Sequence, residues 1–220
     1  MAKGKSALAL ALKKKIGSND EIQKVTHWID TGFPPLNKAI SGRYDGGFPC
    51  GRIVEVFGPP SAGKTFLATA AMISAQKQDG LAVFLDHENS FDVGLAVANG
   101  LNADEDDGQW VYKQPDTFED SVELIGTILK LVRDEELIPE SAPICIVADS
   151  LASMVPNSKA EKFEKMAEGT AKDKDQLNMN DNTALARATS ANFPTLALWA
   201  RKYNACIIFL NQVRTKIGVM

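Results

Sequence analysis

The sequence is short of the features that mark several large protein classes. Its three cysteines, Cys50, Cys145 and Cys206, are too few and too scattered for a disulfide framework, and they match no zinc-ligand spacing. Cys145 and Cys206 lie inside apolar runs, where a thiol behaves as a small core residue. A reducing compartment follows, and a cytoplasmic protein is expected. No stretch approaches the roughly 20 apolar residues of a membrane span. The lysine-rich start superficially resembles a secretion signal, but its apolar part, residues 7–12, is too short and runs into Lys13, Lys14 and Lys15. Neither sign of charge dominates. The 24 Lys and Arg against 28 Asp and Glu leave a net charge of −4. That argues against a nucleic-acid binder working through its whole surface and leaves room for a local basic path. No internal repeat stands out.

What is present fits one α/β domain, possible with a short appendage at this length of 220 residues. Residues 6–16 can form a helix with an Ala/Leu face, broken by Gly17, Ser18, Asn19 and Asp20. Its lysines can touch nucleic acid or simply solvate the helix, and its apolar face can pack on its own domain or on a neighbouring subunit. From Arg52 onward short apolar runs alternate with helical patterns. The runs are residues 53–57, 81–85, 144–148 and 205–210, with a shorter one at 110–112. Helices are expected over 64–77, up to about Asn99-Gly100, after a cap at Asp116 or Thr117, and over 184–202 with an interruption or kink at Pro194. Residues 159–183, charged and Asn-rich, read as a loop with at most one helical turn. Apolar runs of about five residues separated by helices indicate a doubly wound, mostly parallel sheet covered on both faces.

The chemistry collects first at Gly58-Pro59-Pro60-Ser61-Ala62-Gly63-Lys64-Thr65, which satisfies G-x-x-x-x-G-K-[ST] in full between an expected strand and an expected helix. The glycines let the backbone turn its N–H groups around phosphate oxygens, and the helix N-terminus adds its positive end. Lys64 supplies charge to the β- and γ-phosphates, and the Thr65 hydroxyl can ligate Mg²⁺. Phe66, next in the chain, belongs to the same nucleotide-binding stretch. A nucleoside triphosphate site follows.

Ligands of parallel sheets bind at the carboxyl ends of the strands. Here each long run ends in groups suited to nucleotide chemistry: the P-loop, Asp86-His87-Glu88, Asp149-Ser150 and Asn211-Gln212. A carboxylate such as Asp149 can hold Mg²⁺ through its water shell. Glu88 can orient or deprotonate a water, and Asp86 competes for that role on sequence grounds. His87 reads as structural. Gln212 can report the γ-phosphate to whatever follows it.

These residues resemble the RecA family of strand-exchange recombinases. The resemblance rests on residues 47–55 running into the P-loop, on Phe84-Leu85-Asp86-His87-Glu88, on Gln114-Pro115-Asp116-Thr117, on Val147-Ala148-Asp149-Ser150, and on the ending FLNQVRTKIGVM, which is far more specific than a P-loop. It covers nearly the whole chain from about Thr31. Residues 1–30 resemble the family's N-terminal polymerisation helix and linker, and 31–220 its ATPase core. The resemblance implies ATP and Mg²⁺ as cofactors, single-stranded and homologous duplex DNA as partners, self-association into a helical filament, and no membrane. It gives Glu88 the water-activating role, Asp149 the Mg²⁺-side carboxylate, Gln212 the sensor, and Asp92 the contact to the adenine amino group. Arg187 closes the first DNA-binding loop of the family pattern, and Arg214 and Lys216 open the second.

The departures point to a divergent branch, such as one carried by a phage. Leu95 stands where the family has an aromatic against adenine, Asn182 near a typically apolar position, and Pro194 where a basic residue is usual. The segment from Asp149 to Arg187 is longer than the bacterial pattern. Met220 falls within the second DNA-binding loop, so the following strands, and two lysines that a neighbour would contribute to ATP, lie beyond it. On that ground the 220-residue chain is expected to be a fragment, a split gene product or a truncated copy, with poor to moderate nucleotide binding and little or no strand exchange. Robust DNA-stimulated hydrolysis by the chain alone would contradict this. A RecA-core helicase or other motor shares the P-loop and Asp149 but needs no NQVRTKIG segment. A non-catalytic paralogue that caps a filament would tolerate loss of Lys64. A small-molecule kinase is disfavoured because no arginine-rich lid is apparent.

Overall fold

The computed structural model of the chain describes residues 2–16, 24–171, 181 and 183–213. Helix α1, Ala2–Ile16, comes first, with Leu8, Leu10, Leu12 and Ile16 between 49% and 75% exposed. A small unit follows, in which β1, Trp28–Ile29, pairs antiparallel with β2, Phe48–Pro49, around α2, Pro34–Ser41. Proline at the first helical positions costs no hydrogen bond, and Gly42 ends α2 in the left-handed region. Buried Asn37 organises the unit. Its Oδ1 accepts from the Thr31 amide and hydroxyl, and its Nδ2 donates to Asp30 and to the Tyr44 carbonyl.

The main sheet has five parallel strands: β3, Arg52–Gly58; β4, Leu81–Asp86; β5, Trp110–Lys113; β6, Ile144–Asp149; and β7, Ala205–Gln212. Their spatial order is β3-β7-β6-β4-β5, so the chain leaving β3 crosses two positions before it re-enters the sheet. Every residue of β4 and β6 is buried, as expected where helices cover both faces. The period of two then divides the core. Phe84, Cys145, Val147, Cys206 and Ile208 face α3, Lys64–Gln76, which buries Ala68, Ala71, Met72 and Ala75. Val83, Leu85, Ile146, Ile207 and Phe209 face α5, Phe118–Asp134, and α7, Ala184–Tyr203. Those two helices approach closely at Gly126, where an added Cβ would lie 2.7 Å from the Trp199 ring. Short α4, Val93–Ala98, links β4 to the segment before β5.

Two expectations need correction. The stretch read as a loop from 159 begins with an 11-residue helix, α6, Asn157–Ala167. It buries no residue, so it shows no core-facing period, and its Ala, Lys, Glu and Met content carries it instead. Of the interruption or kink expected at Pro194, the interruption does not occur, since α7 runs through that residue as one element. Packing on both sides of the proline holds it. Phe193 lies 5.1 Å from Phe209 between ring centroids, and Leu196 and Ala200 are fully buried. No helix among the described residues is long and apolar enough to cross a membrane.

Candidate functional site

The carboxyl ends of the four long strands meet at one edge of the sheet. In register, Gly58 of β3 lies beside Gln212 of β7, and Asp86 of β4 beside Asp149 of β6. The loop leaving β3 turns through Ser61 at φ 59 and Gly63 at φ 84 into α3. Gly63 is the helix N-cap, and a residue with a Cβ is strained at that φ. No side chain caps α3, and no acid sits in its first turn. Its leading N–H groups are therefore left to bind an anion. The Lys64 ammonium folds back to donate to the Pro59 carbonyl at 2.9 Å and the Gly58 carbonyl at 3.3 Å. Both are weak anchors that a phosphate oxygen can replace. Phe66, 50% exposed, meets Phe33 edge-on at 6.4 Å.

The Thr65 hydroxyl donates to Asp149 Oδ2 at 2.9 Å. Burial pushes the Asp149 carboxyl up to about 6. The Thr65 hydrogen bond and Lys64 oppose this, while Glu88 and Asp86 add to it. A buried carboxylate short of positive charge, touching the hydroxyl at a helix N-terminus, fits a hard cation that keeps most of its waters. Mg²⁺ bound with a triphosphate is such a cation. Thr65 would ligate it, and Asp149 would hold it directly or through a water.

Glu88 lies within reach of this pair. Its Oε1 accepts from the Ser150 hydroxyl at 2.5 Å and from Gln212 Nε2 at 2.7 Å. Asp86, its rival on sequence grounds, is 1% exposed and occupied. It accepts from the amides of Glu88, Ser90 and Phe91 and from the Tyr112 hydroxyl. Phe91 then stacks on Phe84 with centroids 4.0 Å apart, so the loop carrying Glu88 is pinned to the sheet. His87 adds two further ties: its amide donates to the Asp149 carbonyl at 2.7 Å, and its Nε2 meets Ser121 Oγ at 2.6 Å. Burial pushes the His87 imidazole below its ordinary value, against the pull of Asp86 and Asp120, so it stays neutral and structural.

A family model for the RecA N-terminal domain matches residues 7–220. The chain belongs to the RecA family. It is 37% identical to the RecA protein of Treponema denticola over 206 residues, which cover 94% of this chain and 42% of that protein. The RecA protein of Desulforapulum autotrophicum is 36% identical over 208 residues, with 94% and 50% covered. That of Geobacter sulfurreducens is 33% identical over 206 residues, with 94% and 52% covered. The chain thus spans about half the length of these RecA relatives.

The remaining positions singled out by the RecA resemblance are placed unequally. Asp92 is the exposed N-cap of α4, accepting from the Leu95 amide at 2.8 Å through Oδ1, and Leu95 is 59% exposed. Arg187 lies in the first turn of α7. Asn182, Arg214 and Lys216 lie outside the described residues. Three contributors were not singled out from sequence: Ser150 as the partner of Glu88, Tyr112 as the partner of Asp86, and Ser121 as the partner of His87. Tyr112 had a usable signal, a polar-tipped aromatic in a short strand beside an acid-ended one. Ser150 had its place at the strand end Asp149-Ser150, though not its partner, and Ser121 had no signal.

Proposed function

We propose that this chain carries the ATP-binding core of a DNA-dependent ATPase and recombinase, one that assembles as a filament on single-stranded DNA and pairs it with homologous duplex. The observation that carries the reading is the Glu88–Gln212 hydrogen bond at the strand ends, next to the Thr65–Asp149 pair. The N–H groups from Gly58 through Phe66, including Pro59 and Pro60 only as shape, would cradle the phosphates, and Lys64 would place its charge on the β- and γ-oxygens. Bound Mg²⁺ would neutralise charge on those same oxygens. Thr65 and Asp149 would position it, and Asp92 would meet the adenine amino group. Glu88 would orient and deprotonate the attacking water once Gln212 releases it. Gln212 amide donors satisfied by a γ-phosphate would leave Glu88 free, and the reverse exchange after phosphate loss would restore the present contact.

Arg187, Arg214 and Lys216 are proposed to meet DNA phosphates. Residues 1–30 are proposed as a polymerisation element, which the exposed Leu8, Leu10, Leu12 and Ile16 of α1 support, with 31–220 as the ATPase core. The test is single-strand affinity of the chain in Mg²⁺ with a non-hydrolysable triphosphate or with ADP. Wild type should bind more tightly with the triphosphate, and Gln212→Ala should remove the difference. Failure of the chain to bind Mg²⁺–triphosphate at all would sink the reading.

A further inference from the structure

Strand β5 is an edge strand, at the opposite end of the sheet order from β3 and its phosphate loop. Two of its neighbouring side chains nevertheless reach the turn that carries Glu88. Tyr112 lies beside Phe84 of β4 in register and packs on the α3 face of the sheet with it. Its hydroxyl donates to Asp86 Oδ2 at 2.9 Å. Asp86 in turn accepts the amides of Glu88, Ser90 and Phe91, each at 3.1 Å, so a single carboxylate closes the turn from 86 to 91. Within that turn Asn89 stands at φ 53, and its Oδ1 accepts from Gln114 Nε2 at 2.6 Å. The rings of Phe84, Phe91, Trp110 and Tyr112 pack together, with neighbouring centroids 4.0 to 6.4 Å apart. Burial, the hydrogen bond to Asp86 and the Asp86 charge hold the Tyr112 phenol above its ordinary value, against a hydrogen bond from Gln114, so it remains a donor.

The backbone and the carboxylate of Glu88 are therefore held by different partners. Its amide is fixed through Asp86 to β5, while its Oε1 meets Ser150 and Gln212. An exchange of partners at the carboxylate need not disturb the turn. We infer that Tyr112 is a positioning residue for Glu88: acting through Asp86, it fixes the backbone of the turn while the carboxylate exchanges Gln212 for the attacking water. The inference rests on the ATPase reading above and adds β5 to it. A general base acts only within hydrogen-bond reach of its water, and a displacement of about 1 Å can cost about 100-fold in rate. Asp86 is 1% exposed, so a donor removed from it is not replaced by bulk water. Tyr112→Phe keeps the ring and its packing and deletes that donor alone.

The experiment measures single-turnover hydrolysis of ATP, with the 220-residue chain in excess and Mg²⁺ present, for wild type, Tyr112→Phe, Glu88→Gln and the double variant. Affinity for Mg²⁺ with a non-hydrolysable triphosphate is titrated beside it. Tyr112→Phe should slow hydrolysis by about 10- to 100-fold and leave the affinity at the wild-type value. In the Glu88→Gln chain no general base remains to be placed, so Tyr112→Phe should have no further effect on the rate. A purely structural role would lower both backgrounds alike. Gln114→Ala, which removes the Asn89 contact, should follow the same pattern with a smaller loss. Hydrolysis at the wild-type rate by Tyr112→Phe overturns the inference. So does an equal loss in both backgrounds, or a loss in affinity in place of rate. A wild-type chain that binds the triphosphate and hydrolyses none sinks the ATPase reading and this inference with it, a result distinct from hydrolysis that Tyr112→Phe leaves intact.

Discussion

Helices α3 and α5 both begin at the carboxyl edge of the sheet, and their first turns are built in opposite ways. The start of α5 is closed. Thr117 Oγ1 accepts from the Asp120 amide at 3.1 Å, Asp120 Oδ2 accepts from the Thr117 amide at 2.9 Å, and Glu119 and Asp120 complement the helix dipole. The start of α3 is open: glycine at the cap, no side-chain acceptor, no acid, and a lysine in first position. A cap stabilises a helix by about 1 kcal/mol. The P-loop helix forgoes that contribution, and no side chain accepts from its leading N–H groups. Its stability comes instead from burial of Ala68, Ala71, Met72 and Ala75.

The comparison can be broken first at Lys64. Among the described residues its side chain donates hydrogen bonds to the Gly58 and Pro59 carbonyls alone, so Lys64→Ala should leave the melting temperature nearly unchanged. It should weaken Mg²⁺–ATP by about 30- to 100-fold, the value of a charge-assisted contact to phosphate. A thermal scan reads the melting temperature and a calorimetric titration the affinity. A Lys64→Ala chain that unfolds would show the residue to be structural.

Asp149 sharpens the contrast through pH. Its carboxyl holds a proton up to about 6 in the folded chain, against an ordinary value of 3.8. Between those values the unfolded chain is ionised and the folded chain is protonated. Stability from this group is therefore fully present below about pH 4 and is lost as pH rises through about 6. The loss is on the order of 1–3 kcal/mol. Asp149→Asn should remove this slope, raise the ligand-free melting temperature at pH 7, and weaken the Mg²⁺ dependence of nucleotide binding. Melting curves between pH 4 and 7 decide it, and a slope that survives the substitution would contradict the assignment.

The smallest expected effect lies at the closed helix. Thr117→Ala should cost about 1 kcal/mol of stability and leave nucleotide affinity at the wild-type value. A change in affinity would mean that the two helix starts are coupled, with the His87–Ser121 contact as the route.

These particulars also show what was legible beforehand. The P-loop, the four strand ends and the parallel sheet could be read because strand, turn and reactive group are contiguous in sequence. Asp86 and Glu88 could not be separated from the residues alone, because positions two apart at a strand end are equivalent by period. The family resemblance favours Glu88, and the Tyr112 hydroxyl and three amides converging on Asp86 give the two carboxylates different surroundings. α6 was missed because a helix that buries nothing shows no apolar period, and α7 runs on through Pro194 because long-range packing outweighs one lost hydrogen bond.

The central claim is that the open start of α3 receives the phosphates of ATP. Amide hydrogen exchange of the 220-residue chain with and without Mg²⁺–ATP tests it most directly. The account predicts slowed exchange at residues 61–66 on nucleotide addition, absent in Lys64→Ala, with residues 118–121 of α5 unaffected. Unchanged exchange at 61–66 under saturating nucleotide, or protection appearing only elsewhere, would contradict it.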